Sequence, residues 1–234
     1  MHICYVVAMR AEARPFVEAY GLSKVDGFFV PLPCILYDGM AGDCRLSVVL
    51  NGEQHGTDLV GCEAASVATM AAIERLHPDM VVNSGTCGAF KAQGASIAEV
   101  FVGNGAMFHD RRVPGDDGFA TQSLGNYSVW DGSRALAERL GLKMGKVTTG
   151  SSLDMQPCDL AVIQQHGGQL KDMEGAAVAF VCSLFHTPLL LVKSVTDLCD
   201  DGAATFEEFT KNLSAASQSL NEANQRIINR LSAL

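Results

Sequence analysis

The sequence predicts an α/β fold, a three-layer αβα sandwich around a central mixed, largely parallel sheet. Short apolar runs, such as residues 2–9, are followed by segments with the three- and four-residue apolar spacing of helices. The run 188–195 starts with consecutive apolar residues, which is typical of a parallel strand buried on both faces. Alternation of this kind favours helices on both faces of one sheet. No break in composition divides the 234 residues, so we expect a single domain over 1–234.

The first third of the chain contains two predicted strands and two predicted helices. The strand over 2–9 leads into a helix over 11–22, and the apolar segment 44–50 predicts a second strand. Residues 51–58 are polar and rich in turn formers, so they predict a loop. The alanine-rich segment 59–76 predicts a long helix that ends before Pro78.

The middle third predicts three strands and one helix. Residues 80–90 predict a strand that runs into a glycine turn, and residues 97–108 predict another strand. Residues 111–130 show no periodicity and predict the longest loop. A helix over 133–142 and a strand over 143–150 follow.

The last third predicts three helices and the strand 188–195. Two of these helices, 158–167 and 173–185, are separated by a short link. The third is long and begins at a capping box formed by Thr205 and Glu208, after which apolar residues recur at helical steps.

The composition excludes several classes of partner. The net charge is −9, from 17 basic and 26 acidic residues, and no basic cluster is longer than Arg111-Arg112. Nucleic acids and anionic membranes require concentrated Lys and Arg, so neither is expected as a partner. No apolar run approaches the roughly 18 residues of a membrane span, and the apolar N-terminus is too short for a signal peptide.

The eight cysteines form no CxxC pair, and no histidine cluster has the spacing of metal ligands. We therefore expect no metal and no disulfide framework, and a reducing, cytoplasmic location.

Polar residues at predicted strand ends are the candidates for chemistry. Ligands of open α/β sheets bind outside the carboxyl ends of the strands. This rule selects Glu12, the glycine-rich stretch 84–88, Thr196-Asp197 and Glu174 at the head of an apolar helix. The stretch 84–88 lacks the spacing of a dinucleotide or P-loop motif, so it carries little information alone.

Each acid also has a structural explanation. Glu12 suits the first turn of a helix, and Asp197 suits the cap of whatever follows its strand. Glu174 is harder to explain in this way, because a buried carboxylate is costly unless a polar partner meets it. Asp172 lies about 200° from Glu174 if both are helical, which predicts a structural role for Asp172.

Six motifs along the chain resemble those of the 5′-methylthioadenosine/S-adenosylhomocysteine nucleosidases of the nucleoside phosphorylase superfamily, especially the plant-type members. They are AMRAE (8–12), NSGTCG (83–88), FHDRR (108–112), TTGSSLD (148–154), KDMEGAAVAFV (171–181) and VKSVTDLCD (192–200). The resemblance covers nearly the whole chain. It implies a homodimer that hydrolyses an N-ribosidic bond without a cofactor.

The resemblance also implies catalytic roles. Asp197 would be the general acid that protonates adenine N7, which requires a carboxyl held in its protonated form. Glu174 would bind the ribose hydroxyls and stabilise the developing oxocarbenium ion, and Glu12 would activate the attacking water. Thr196 would orient Asp197.

The remaining implied residues support the catalytic groups or line the pocket. Thr86 and Lys193 would place the water and Glu12. The implied walls are Met9 and Phe206 at the thioether end, Met173 beneath the ribose, Leu153 and the Asp154 backbone at adenine, Gly88 in the glycine turn, and Val113 of the neighbouring subunit. The sequence departs from the family pattern at Cys87 and Ala89 and over 114–130, which leaves the substrate range open.

Two other functions compete with hydrolysis. A nucleoside phosphorylase needs a basic, glycine-rich loop after the first strand. This chain has AMRAE (8–12) there, in which Arg10 is one basic residue and Glu12 would repel phosphate. A non-catalytic storage or nucleoside-binding protein on the same fold could lose the three acids, yet all three are present. The sequence therefore favours the hydrolase.

Overall fold

A computed structural model describes residues 1–202 and 204–232. Its strands are β1 (His2–Val7), β2 (Ser23–Val25), β3 (Ile35–Ala41), β4 (Cys44–Leu50), β5 (Glu53–Gln54), β6 (Thr57–Asp58), β7 (Met80–Ala89), β8 (Val100–Phe108), β9 (Lys143–Thr149), β10 (Leu170–Asp172) and β11 (Leu189–Leu198). Its helices are α1 (Arg10–Tyr20), α2 (Cys62–Leu76), α3 (Asp117–Leu124), α4 (Ser133–Leu140), α5 (Pro157–His166), α6 (Gly175–Phe185) and α7 (Thr205–Leu231), with a short 3-10 helix at Lys91–Gln93.

Nine of the strands form one mixed sheet in the order β10-β9-β8-β11-β7-β1-β4-β3-β2. The pairs β1–β4, β1–β7, β7–β11, β8–β9 and β9–β10 are parallel, and β2–β3, β3–β4 and β8–β11 are antiparallel. The predicted α/β class with a mixed, largely parallel sheet is confirmed. The expectation of a single domain stays a prediction.

The sheet closes on itself at one end. Strand β10 pairs in parallel with β9 and also antiparallel with β7, where Lys171 lies opposite Gly88. Strands β7, β11, β8, β9 and β10 therefore form a ring. The sequence did not predict β10, because three residues are too few to show a strand period.

Two apolar clusters cover the faces of the sheet. One joins the strands to α1, α4 and α7, through residues such as Phe16, Leu136 and Leu220. The other joins them to α2 and α6, whose alanines permit close approach. The three predicted layers follow from this arrangement. No helix within residues 1–202 and 204–232 is both long enough and apolar enough to cross a bilayer.

Several predicted boundaries were wrong in ways that matter for the site. Residues 84–88 do not form a turn but continue strand β7, and β11 continues past residue 195 to Leu198. The predicted loop 51–58 contains the β5–β6 hairpin, and α3 lies within the predicted loop 111–130. Strands β2 and β3 were also missed, since their short segments mix polar and apolar residues.

The capping box predicted at the start of α7 is absent. The N-cap residue is Ala204, and the carboxylate of Glu208 instead accepts a hydrogen bond from the backbone N–H of Leu198 at 3.1 Å. A tertiary partner has replaced the local one. Helix α6 likewise begins at Gly175, so Asp172 lies in β10 and the helical angle between Asp172 and Glu174 does not apply.

Candidate active site

A cavity of about 210 Å³ opens between the carboxyl ends of β1, β7 and β11 and the N-terminal ends of α1 and α6. It is lined by residues from eight segments of the chain: Ala8, Met9, Glu12, Val60, Thr86, Cys87, Gly88, Leu153, Lys171, Asp172, Met173, Glu174, Thr196, Asp197 and Phe209. The three acids selected from the sequence lie on this one cavity. The strand-end rule therefore selected residues that meet at one cavity, even though two of the strands extend further than predicted.

Glu12 is buried in the first turn of α1, and its carboxylate has partners on both oxygens. Thr86 donates to Oε1 through its backbone N–H (2.7 Å) and its hydroxyl (2.8 Å), and the Met9 N–H donates to Oε2 (3.2 Å). Burial raises the pKa of Glu12, while the Thr86 bonds and the charge of Lys193 partly oppose that rise. Thr86 therefore contacts Glu12 directly, through two hydrogen bonds to one carboxylate oxygen.

A β-bulge directs Asp197 into the cavity. The register between β11 and β7 shifts between Val195 and Asp197, so that Asp197 lies opposite Gly88. A Cβ atom at Gly88 would lie 2.7 Å from Asp197 Oδ2 and 2.7 Å from the sulfur of Cys199. Only glycine leaves room for the Asp197 carboxyl at this position.

The surroundings of Asp197 accommodate a neutral acid. Thr196 Oγ1 lies 2.8 Å from Asp197 Oδ1 and 3.2 Å from the Cys87 carbonyl oxygen. The Thr196 hydroxyl can donate to the ionised Asp197 carboxylate, and when Asp197 is protonated it can accept from Asp197 and donate to the Cys87 carbonyl. Burial raises the pKa of Asp197, and the Thr196 bond and the charge of Lys171 only partly offset that rise. Thr196 and Asp197 are in direct contact, and the orienting role of Thr196 stays a prediction.

Glu174 is the N-cap residue of α6 and is partly buried at the cavity wall. Its Oε1 accepts a hydrogen bond of 2.8 Å from the backbone N–H of Gly61, the N-cap residue of α2. Burial of the carboxylate and the nearby charge of Asp172 raise the pKa of Glu174 to about 7. The polar partner that the sequence could not identify is therefore a helix N-terminus distant in the chain.

Lys193 and Asp172 form a buried ion pair behind the cavity. Lys193 Nζ lies 2.6 Å from Asp172 Oδ2, and their side chains are 1% and 0% exposed. Asp172 also accepts hydrogen bonds from the Thr149 hydroxyl (2.5 Å) and the Gly175 N–H (2.8 Å). Burial lowers the pKa of Lys193, but the charges of Asp172, Glu174 and Glu12 outweigh burial and raise it. Lys193 was expected to place Glu12, whereas its direct partner is Asp172 and it reaches Glu12 only through its charge.

Besides Lys193, three expected residues lie outside this cavity. Phe206 is 67% exposed, and Phe209, three residues further along α7, lies at the cavity instead. Asp154 is exposed, and Val113 is 37% exposed and away from the cavity of its own chain. Sequence reasoning also missed Lys171, because one lysine before a run of helix formers resembles a surface residue.

The chain matches the model of the phosphorylase superfamily over residues 2–229. It is 41% identical to a 5′-methylthioadenosine nucleosidase of Arabidopsis thaliana over 231 residues, 97% of this chain and 86% of the relative. It is 38% identical to a 5′-methylthioadenosine/S-adenosylhomocysteine nucleosidase of the same plant over 242 residues, 98% of this chain and 91% of the relative.

The solved structure of Arabidopsis thaliana 5′-methylthioadenosine nucleosidase in its apo form superposes with a TM-score of 0.96 at 40% identity, covering 100% of this chain and 96% of that chain. The chain therefore belongs to the phosphorylase superfamily and, within it, to the 5′-methylthioadenosine/S-adenosylhomocysteine nucleosidases.

Proposed function

We propose that this chain hydrolyses the N-ribosidic bond of 5′-methylthioadenosine to adenine and the thioribose. S-adenosylhomocysteine is the second candidate substrate. One observation carries the proposal: three carboxyl groups from distant segments meet at one cavity, each with different hydrogen-bond partners. The surroundings of Asp197 suit a neutral acid, and those of Glu12 suit a base whose carboxylate is held by hydrogen-bond donors. Glu174, with a pKa raised to about 7, can be neutral or ionised near neutral pH. This is the set of groups that acid–base cleavage of a nucleoside needs.

The leaving adenine is a poor anion, so its N7 must be protonated as the bond breaks. Asp197 supplies this proton, because its raised pKa keeps the carboxyl neutral at a higher pH than an exposed aspartate allows. Donation from Asp197 to N7 leaves a carboxylate. The Thr196 hydroxyl can then turn its proton from the Cys87 carbonyl to this new charge.

The ribosyl ring becomes cationic as the C–N bond lengthens. Glu174 binds the ribose hydroxyls, and its carboxylate stabilises the developing positive charge. Burial and the nearby charge of Asp172 raise the pKa of Glu174 to about 7. Ribose hydroxyls that donate to the carboxylate lower this pKa and so favour the ionised form. Met173 and Met9 supply apolar walls that exclude water from this region.

Water attacks the cation from the side of Glu12. The Thr86 and Met9 donors orient the Glu12 carboxylate, which takes the proton of the attacking water. Lys193 lowers the pKa of Glu12 through its charge and so favours the ionised base. No cofactor is required for any of these steps.

The cavity disfavours phosphate as the nucleophile. Among the described residues no arginine lines it. The two arginines that flank Glu12 in the sequence have other partners: Arg10 pairs with Glu53 and, at 2.7 Å, with Asp58 of the β5–β6 hairpin, and the exposed Arg14 lies 3.9 Å from Glu18. A phosphate dianion would meet Glu12 without the bidentate partner that phosphorylases need.

The proposal includes a homodimer in the cytoplasm. Apolar side chains are exposed along α2, α3 and α6, among them Met70, Phe119 and Leu184, at 43%, 56% and 62%. Burying them against a second copy is favourable, and Val113 lies outside its own cavity, where it could reach that of a partner. All eight cysteines are free thiols, as a reducing compartment allows. Analytical ultracentrifugation tests the dimer directly.

The decisive experiment measures adenine release from both nucleosides with phosphate omitted and then added. Asp197→Asn keeps the shape but removes the acid, so turnover should fall by ~10²–10⁴-fold. The matched control is Asp43→Asn, an exposed aspartate in the β3–β4 turn. Near-normal release by Asp197→Asn would refute the assignment. Phosphate-dependent formation of ribose-1-phosphate would favour a phosphorylase, and binding without release a storage protein.

A further inference from the structure

Lys171 is a buried lysine at the cavity that the mechanism above does not use. It lies in β10, is 5% exposed and lines the cavity. Its ammonium donates to the carbonyl oxygens of Ser152 (3.0 Å) and Leu153 (2.8 Å). Both carbonyls belong to the loop 151–154, which reaches the cavity through Leu153.

The charge of Lys171 is not balanced by a carboxylate. Within residues 1–202 and 204–232, no acid lies within salt-bridge distance of its ammonium, whereas Lys193 is paired with Asp172 at 2.6 Å. A buried cation without a counter-charge is costly, and two carbonyl dipoles compensate only in part. An apolar side chain at position 171 would be buried at a lower cost in free energy. Packing alone therefore does not explain why a charged group stands there.

The ring of strands places Lys171 and Asp197 on opposite sides of one residue. Gly88 of β7 lies opposite Lys171 in β10 and opposite Asp197 in β11. Neighbouring strands are about 4.8 Å apart, so the two backbones are separated by roughly 10 Å or less. Gly88 has no side chain to separate them, and the cavity lies between.

Several charged or titratable groups face Asp197 in addition to Lys171. They are Glu208 from α7, Cys199 directly after β11 and Cys87 from β7. Burial and the charge of Glu208 raise the pKa of Asp197, and the positive charge of Lys171 lowers it. Lys171 therefore opposes the effect of burial on the carboxyl.

We propose that Lys171 is a positioning residue of this site, which fixes the loop 151–154 at the cavity and places a positive charge across Gly88 from Asp197. The inference rests on the proposed function, in which Asp197 is the acid. An acid that holds its proton too firmly transfers it poorly, so the lysine keeps Asp197 neutral yet able to donate.

Three variants separate the charge from the hydrogen bonds. Lys171→Met removes both, Lys171→Gln keeps a neutral donor, and Lys171→Arg keeps the charge. Lys146→Met is the matched control, because Lys146 of the adjacent strand β9 also donates to a carbonyl, that of His166 at 3.3 Å, away from the cavity. The measurements are KM and kcat for 5′-methylthioadenosine and the alkaline limb of kcat/KM against pH.

Activity is lost as pH rises through the pKa of the acid, so a higher pKa moves the alkaline limb to higher pH. Lys171→Met and Lys171→Gln should move that limb upward by on the order of 1 unit, and Lys171→Arg and Lys146→Met should leave it in place. Lys171→Met should also raise KM about tenfold, more than Lys171→Gln, because the loop loses both bonds.

The proposal is overturned if Lys171→Met or Lys171→Gln leaves both the limb and KM unchanged, or if Lys171→Arg moves the limb as far as they do. If Lys171→Met fails to fold, Lys171→Gln and Lys171→Arg still provide the comparison. Failure of the proposed function has a different signature, since the wild-type chain would then release no adenine.

Discussion

The buried pair of Lys193 and Asp172 offers the sharpest test of how this site is held together. Asp172→Asn keeps the size and most hydrogen bonds of the side chain. The amide oxygen can still accept from Lys193 and Gly175, and the amide N–H can donate to the Thr149 hydroxyl. The substitution therefore removes chiefly the negative charge.

The expected cost follows from the burial of both partners. Removing one partner of a buried ion pair costs about 3–5 kcal/mol, because the other charge stays buried without compensation. Glu174 and Glu12 also act on Lys193 and can replace part of the lost charge, so we expect the lower end, about 3 kcal/mol. A chain of this length loses ~2–4 °C in Tm per kcal/mol, which gives a decrease of about 6–12 °C.

Thermal and urea unfolding at one fixed protein concentration measure this effect, since association would make Tm depend on concentration. The control is Asp26→Asn, whose carboxylate pairs with Lys24 at 2.8 Å and is exposed, as is the lysine. An exposed pair of this kind contributes little to stability. Equal shifts in Tm for the two variants, or a shift below about 2 °C for Asp172→Asn, would refute the reasoning.

Two further predictions concern the other acids. Glu174 has a pKa raised from 4.5 to about 7 in the folded chain, so its contribution to stability is present at low pH and is lost as pH rises through this window. Urea unfolding between pH 4.5 and 8 should therefore show a shallower decline for Glu174→Gln than for the wild type, and identical slopes would contradict the assignment. Thr86→Val removes the hydroxyl donor to Glu12, so the acid limb of kcat/KM should move to higher pH, because activity is lost as pH falls through the pKa of the base. Thr86→Ser should retain the wild-type profile; a shift as large as that of Thr86→Val would exclude the hydroxyl as the cause.

Local patterns were sufficient to predict the layers and to select three acids that meet at one cavity. Continuous apolar runs identify strands such as β1 and β11, because a strand buried on both faces needs apolar side chains at successive positions. Glu12 and Glu174 were noticeable because each is an acid beside an apolar segment, where an unpaired carboxylate is costly. The same local evidence misplaced the start of α7, because the acid of the apparent capping box bonds to Leu198 in the folded chain.

The partners of these groups were decided by tertiary structure alone. Gly61 meets Glu174 across 113 positions of sequence, and Thr86 meets Glu12 across 74. Such contacts depend on strand order and on the register between strands, and neither is encoded in a local period. The ring closure that places Lys171 and Asp197 on either side of Gly88 depends on a three-residue strand and a β-bulge. The sequence by itself determined which acids were available and at which end of the sheet they lie. Packing determined which of their charges are paired, because burial sets the cost of each charge and only the fold brings a compensating group within reach.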